Sequence, residues 1–245
     1  MTAYAIGDIH GHLDKLTAAH ALIEADRAAH GTVDAPIIHI GDLCDRGPDT
    51  KGVLDYLIAG HERGENWVTL KGNHDRLMEW WFEDFPRHDP FLLVGYHWLH
   101  AKIGGMETLA SYGVVFPERT RTQVAHEMAR ETVPQAHINF VANLPLQYRL
   151  GDLFFCHAGI RPGVALEDQD EMDLLWIREE FHESKADHGA FVIHGHTPVE
   201  TVEHHGNRLN IDTGAAFGKA LSVVVIDGRN VWRLTQEGRI NVDPI

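Results

Sequence analysis

Six residues able to bind or polarise something stand just past short apolar runs: Asp8, His10, Asp42, Asn73, His157 and His196. AYAI precedes Gly7-Asp8-Ile9-His10-Gly11, IIHI precedes Gly41-Asp42, and WVTL precedes Lys71-Gly72-Asn73-His74-Asp75. LFFC precedes His157-Ala158-Gly159, FVI precedes His194-Gly195-His196-Thr197, and LNI precedes Asp212-Thr213-Gly214. Carboxylates, imidazoles and one amide oxygen, with no thiolate, form a mixed N/O donor set. Such a set suits Mn²⁺, Fe or Zn²⁺, whereas Ca²⁺ takes oxygen alone. It is larger than one ion with an open position requires. Two ions sharing a bridging carboxylate fit better, the arrangement that hydrolyses phosphate esters with metals roughly 3.5–4 Å apart. Two divalent ions against Asp8 and Asp42 leave excess positive charge, which acidifies a bridging water and attracts phosphate.

Those residues span positions 8 to 212, so the fold must bring them together. Short runs rich in Ile, Val, Leu and Phe predict strands buried on both faces. Six runs ending in polar loops predict six strands delivering their loops to one edge of a layered sheet, where α/β proteins bind ligands. Asp8 and His10, two apart, are expected on an extended segment with both side chains to one side. Between the runs, Leu13–Ala29 and Thr50–Ala59 have helical periodicity and imply βαβ connections. Residues 76–145 change character, with Trp80, Trp81, Phe82, Phe85, Pro86 and Pro90 followed by helical stretches near Gly104–Ser111 and Arg121–Thr132. They read as a mostly helical insertion in a single domain covering residues 1–245. Leu221–Ile226 and Val231–Thr235, around Asp227-Gly228, predict a hairpin.

Composition narrows the function. The chain has 245 residues, 44% hydrophobic and 23% charged, with a formal charge of −15. That balance opposes a nucleic-acid backbone binder, which works by presenting Lys and Arg. It also means that an anionic substrate needs a local reversal of the field, such as bound metal. Two cysteines, Cys44 and Cys156, without a CxxC pattern, indicate neither a disulfide scaffold nor a thiolate zinc site. The spacing from Cys156 to Arg161 is one residue short of the C-x₅-R loop of thiol phosphatases. Neither a signal segment nor a run long enough to span a bilayer is apparent, and a cytoplasmic enzyme without membrane contact is expected.

GDIHG (7–11), GDLCDRG (41–47), GNHD (72–75), HAG (157–159) and HGHT (194–197), in that order, resemble the signature series of the PPP-type metallophosphatases. That family includes serine/threonine protein phosphatases and bacterial diadenosine tetraphosphatases; LLWIRE (174–179) is also similar to bacterial members. The resemblance implies the calcineurin-like α/β sandwich, two mixed β-sheets flanked by helices. It implies one metal on Asp8, His10 and Asp42, and a second on Asp42, Asn73, His157 and His196. It further implies that His74 protonates the leaving group, that Asp45 orients His74, and that Arg46 and Arg178 clamp phosphate oxygens. Asp49 matches nothing in the series and is read as a helix cap.

The expected reaction is hydrolysis of a phosphomonoester by direct attack of metal-bound hydroxide, with two divalent ions, Mn²⁺ foremost. Asp45 favours a serine/threonine phosphoprotein substrate, because the protein phosphatases of the family carry this residue before the Arg. The alternative is a dinucleoside polyphosphate or another small phosphorylated substrate. A remoter one, an inactive binding module on the same fold, should have lost ligands, yet every matched position is filled. Residues 76–145 are expected to set substrate choice, with Trp98 and Phe91 as probes, while the aromatic cluster at 80–91 reads mainly as core. Cys44 reads as a small buried hydrophobe. Most of the nineteen histidines read as packed or solvated; His194 is open between a packed residue and one reaching the site.

Overall fold

The chain builds two mixed sheets packed face to face. The computed structural model describes residues 1–117 and 120–245. The first sheet contains β1 (Thr2–Ile6), β2 (Ile37–His39), β3 (Trp67–Thr69), β9 (Val223–Asp227), β10 (Asn230–Thr235) and β11 (Gly238–Asn241), in the order β11-β10-β9-β1-β2-β3. The second has the order β4-β5-β6-β8-β7, formed by β4 (Gln147–Leu150), β5 (Leu153–Cys156), β6 (Phe191–His194), β7 (Glu203–His204) and β8 (Arg208–Asn210). The strands behind the polar loops are parallel within each sheet: β1, β2 and β3 in one, β5, β6 and β8 in the other. Three loops from each sheet therefore meet at one edge of the sandwich.

Side-chain alternation assigns the layers. In β1, Ala3 and Ala5 face the opposite sheet while Tyr4 and Ile6 face the helices. Val224 and Ile226 of β9 join the inter-sheet core, which Phe155, Phe191 and Ile193 fill from the second sheet. Phe154 and Val192 face outward beneath the short helices α7 (Glu171–Trp176) and α8 (Glu179–His182). The other outer layer contains α1 (Leu13–His30), α2 (Thr50–Glu62), α3 (Asn73–Trp81), α4 (Gly105–Ser111), α5 (Thr122–Thr132) and α6 (Gln135–Ala142). Trp81, Phe82, Trp98, Leu109 and Ala129 share one buried cluster with Tyr4, Leu16 and Leu54. The segment 76–145 thus extends the helical layer over the first sheet, with no separate core.

Two local expectations need correction. β1 ends at Ile6, and His10 lies beyond it at a φ of +45°, so Asp8 and His10 do not share a face of an extended strand. Asn73 and His74 open α3 and are therefore helical. Asp49 caps α2, accepting the Gly52 N–H at 2.8 Å. The β9–β10 hairpin turns through Gly228 at a φ of +63°, which glycine adopts without steric cost. Among the described residues no helix is long and apolar enough to cross a membrane.

Candidate metal centre and active site

Non-glycine residues with positive φ among the described residues are His10, Asp42, Asp45, Arg46 and His196, all of them candidates from the sequence. Such conformations cost on the order of 1–3 kcal/mol each and persist only where the surroundings over-determine them. Here the surroundings are backbone clamps between the 7–11 and 41–47 loops. The Ile9 and His10 N–H groups donate to the Asp42 carbonyl at 3.1 and 2.7 Å, and Gly11 N–H donates to Leu43 O at 2.8 Å. Buried Asp75 ties the second loop to α3 by accepting the N–H groups of Leu43 (2.9 Å), Cys44 (3.3 Å) and Gly72 (2.8 Å). Burial, helped by Asp42, pushes the Asp75 carboxyl up to about 7. No role for Asp75 is legible in the sequence, although it sits within GNHD. Gly72 permits the contact between α3 and the loop, since a Cβ there would lie 2.2 Å from Asp42 Oδ1.

Asp42 is the hub. Its Oδ2 lies 3.3 Å from His10 Nε2 and its Oδ1 lies 3.4 Å from His157 Nε2. The other ring nitrogens are committed to carbonyls: His10 Nδ1 to Cys44 O at 2.9 Å, and His157 Nδ1 to Ile40 O at 3.0 Å. A carbonyl only accepts, so each Nδ1 carries its proton and each Nε2 is the atom turned toward the carboxylate. With Nε2 unprotonated, a cation between it and the carboxylate would be bound by both. Asn73 Oδ1 adds to the same cluster, 2.9 Å from His157 Nε2 and 2.8 Å from His196 Nδ1.

The electrostatics make the same demand. Asp8, Asp42 and Asp212 are all buried. Burial raises Asp8 well above the usual carboxylate range, with Asp212 and Asp42 adding to it. Burial also raises Asp212, while for Asp42 the imidazoles of His157, His74 and His10 outweigh burial and hold it well below that range. Three carboxylates among imidazoles are a donor set for divalent ions. Among the described residues two groups have ligand atoms within 4.8 Å of one another: His10, Asp42 and His74, and Asp42, His157 and His196. Asp8 belongs to neither; its Oδ2 accepts the His196 N–H at 3.1 Å. Asp212 was passed over although it ends the sixth apolar run, the signal that marks the others.

His74 Nδ1 pairs with Asp45 Oδ2 at 2.7 Å. Asp45 also accepts Trp98 Nε1–H at 3.0 and 3.1 Å and Thr108 Oγ1–H at 2.8 Å. Trp98 is therefore not a surface probe of substrate choice: it is 3% exposed and holds the partner of His74. Burial pushes His74 below its ordinary value, with Asp42 and Asp45 opposing and Arg46 adding. The Arg46 guanidinium donates to His10 Nε2 and to His74 Nε2, both at 2.9 Å, beneath the Phe217 ring. Arg46, His74, Asn73, Arg178 and His196 line a cavity of about 200 Å³ together with Phe91, Leu92, Tyr96, Ile103 and Trp176. His194 points elsewhere, 3.3 Å from Arg208 and packed against Phe181 and His182. Both cysteines are free and buried, and burial raises both thiols.

Known proteins share this organisation. The chain is 27% identical over 240 residues to the asymmetrical bis(5'-nucleosyl)-tetraphosphatase PrpE of Anoxybacillus flavithermus, covering 89% of this chain and 88% of that one. It is 27% identical over 234 residues to serine/threonine-protein phosphatase 1 of Salmonella typhimurium, covering 91% of each. Among solved structures, a putative diadenosine tetraphosphatase matches over 99% of this chain and 94% of its own, with a TM-score of 0.58 at 18% identity. A cold-active protein-tyrosine phosphatase of a psychrophilic Shewanella matches over 99% and 80%, with a TM-score of 0.58 at 13% identity, a likeness of fold. Residues 1–226 match the family described as calcineurin-like phosphoesterase, and the chain belongs to that family of metal-dependent phosphoesterases.

Proposed function

We propose that the centre hydrolyses a phosphomonoester without a phosphoenzyme, with Asp8, His10, Asp42, Asn73, His157 and His196 holding two divalent ions, Mn²⁺ first and Fe or Zn²⁺ as alternatives. Bound there, the ions would acidify a water and neutralise phosphate charge. Arg46 and Arg178 orient the phosphoryl oxygens across the cavity, where guanidinium geometry matches two oxygens at once. His10 Nε2 cannot serve Arg46 and an ion together, so with an ion on His10 the Arg46 guanidinium would be left to His74 and the cavity. His74 presents Nε2 to the leaving oxygen, its Nδ1 proton fixed on Asp45.

The observation that carries this reading is the His74–Asp45 pair at 2.7 Å, itself held by Trp98 and Thr108, facing a cavity with two arginines. So firmly oriented an acid suits a poor leaving group such as a serine or threonine alkoxide, and a phosphoprotein substrate follows. A second reading, a dinucleoside polyphosphate, rests on the cavity walls. Phe91 stacks on Trp176 at 5.7 Å and 14° beside His196, and Phe217 covers Arg46 at 5.4 Å. Phe91 is 53% exposed and Phe217 64%, so both rings are available to planar bases. Chelated enzyme, reloaded with Mn²⁺ and given a phosphoserine peptide and diadenosine tetraphosphate side by side, tests both. Preference for the peptide supports the first reading, preference for the dinucleotide the second. Full activity without metal overturns both.

A further inference from the structure

Beyond the far end of α8 lies a cavity of about 700 Å³ that shares no lining residue with the catalytic one. His182, Lys185, Asp187, His205, Asn207 and Arg229 line it. Lys185 and Arg229 form no ion pair among the described residues; Arg229 donates to Gly206 O at 2.6 Å and lies over the Phe191 ring. Behind His182 is Arg208, 6% exposed, which donates to His182 O at 3.1 Å, lies 3.3 Å from His194 Nε2 and stacks over Phe181. Arg208 forms no salt bridge among the described residues, although the Glu203 charge favours its protonated form, and its Nε finds no acceptor. An unpaired buried charge is costly, and a counter-ion close by offsets that cost.

Two acids lie nearby, each with a hydrogen-bond partner. Asp187 accepts the Gly189 N–H at 2.9 Å, and Glu203 pairs with His205 at 2.9 Å. His182 adds a buried Nε2 without a partner. Burial, with Arg208 and Arg178 adding, lowers His182 to about 4, which leaves a neutral ring able to donate one hydrogen bond at neutral pH. In a chain of charge −15, Lys185, Arg208 and Arg229 against Asp187 and Glu203 leave this cavity with one positive charge in excess, locally opposite to the chain as a whole.

We propose that this cavity is a second anion site, separate from the catalytic centre, which takes a small phosphate-bearing molecule of nucleotide size. Arg229 and Lys185 would meet the phosphate oxygens directly, with Arg208 acting through its field. The volume lies in the range of small-molecule sites. Helix α8 runs from Glu179 to His182 with Arg178 at its cap, so an occupant touching His182 sits one helical turn from an arginine of the catalytic cavity.

The test is calorimetric titration of Mn²⁺-loaded enzyme with α,β-methylene-ADP, whose P–C–P bridge resists hydrolysis. Wild type should show two bound per chain. Lys185→Ala/Arg229→Ala, two exposed changes, should lose one of them, with that affinity weakened at least about tenfold. Its turnover of p-nitrophenyl phosphate without the analogue should be unchanged. A double variant that binds the analogue with the stoichiometry and affinities of wild type overturns the proposal.

Discussion

Trp98→Phe separates a residue that touches substrate from one that acts through the His74–Asp45 pair. The indole N–H lies 3.0 and 3.1 Å from the two Asp45 oxygens, while the ring packs on Trp81 at 5.5 Å and Phe82 at 6.0 Å. Phenylalanine keeps a ring in that space and removes the donor. A hydrogen bond to a charged group contributes about 1.5–3 kcal/mol, so stability should fall by about that amount, measured as a shift of the denaturant midpoint. Asp45 keeps Thr108 Oγ1 at 2.8 Å and His74 at 2.7 Å, so the acid is loosened without being lost. Complete removal of a general acid costs about 10²–10⁴-fold, and loosened orientation should cost a fraction of that, about tenfold in kcat. The loss should fall on a phosphoserine peptide, whose alkoxide needs a proton, and hardly on p-nitrophenyl phosphate. KM should stay level for both. Phe91→Ala, on the exposed wall, should do the reverse and raise KM for the natural substrate while leaving the aryl ester alone. If Trp98→Phe raises KM with kcat intact, the indole is a substrate contact and its burial against Asp45 has been misread. Equal kcat losses on both substrates would refute a role through His74.

His74→Asn should slow the phosphoserine peptide by about 10²–10⁴-fold and p-nitrophenyl phosphate far less, with metal retained; loss of metal would make His74 a ligand, as its place beside His10 and Asp42 permits. Asp42→Asn should lower metal content as well as turnover, since its two oxygens face His10 and His157 separately; plasma emission showing two ions per chain with normal turnover would exclude a bridging role. Away from the centre, His20 and His39 meet nitrogen to nitrogen at 3.0 Å under the first sheet. Burial lowers His20 to about 4, with Arg27 adding, and lowers His39 well below its ordinary value, with His20 adding. The unfolded chain therefore binds more protons below about 6.5, so the stability is intact above that pH and lost as pH falls toward 4. His20 alone accounts for about 2–3 kcal/mol of this. Urea midpoints at pH 7 and 4.5 should differ less in His20→Gln than in wild type; identical differences would remove His20 from the acid response.

What the sequence made legible follows a physical divide. Strands buried on both faces, such as AYAI, LFFC and FVI, are runs that only a layered interior accommodates, and the polar residue ending each run marks the sheet edge. The edge strands β4 (QYRL), β7 (EH) and β11 (GRIN) carry no such signature, because half-exposed edges accept polar residues. Asp8, Asp42, His157 and His196 were visible because they interrupt apolar runs. The supports were not: Trp98 meets Asp45 across 53 positions and Thr108 across 63, distances over which no spacing rule operates. Nor does a histidine announce a left-handed backbone. His10 at +45° looked from its spacing like half of a same-face pair, and the tertiary clamps on Asp42 decided otherwise.

The division between centre and wall also bears on why relatives bearing two different substrate names share this architecture. The strained residues and buried carboxylates are fixed chiefly by contacts among the strand-end loops, Asp75 and α3, and the segment between α3 and α4 reaches them at Asp45, through Trp98, and at Arg46, whose N–H donates to Gly104 O at 3.3 Å. That segment supplies Phe91, Leu92 and Tyr96 to the cavity wall and is also fastened elsewhere, through the fully buried Arg76–Asp89 pair at 2.6 Å, with Asp89 accepting the Phe91 N–H at 2.9 Å. One of its residues, Trp98, turns inward to the His74–Asp45 pair, while its Phe91 tip faces outward. Changes at the tip can therefore alter what reaches the metals without moving a ligand, whereas a change at Trp98 touches the acid. Breaking one partner of a buried pair such as Arg76–Asp89 costs about 3–5 kcal/mol, which makes the anchor conservative and leaves the exposed tip as the part free to vary with substrate.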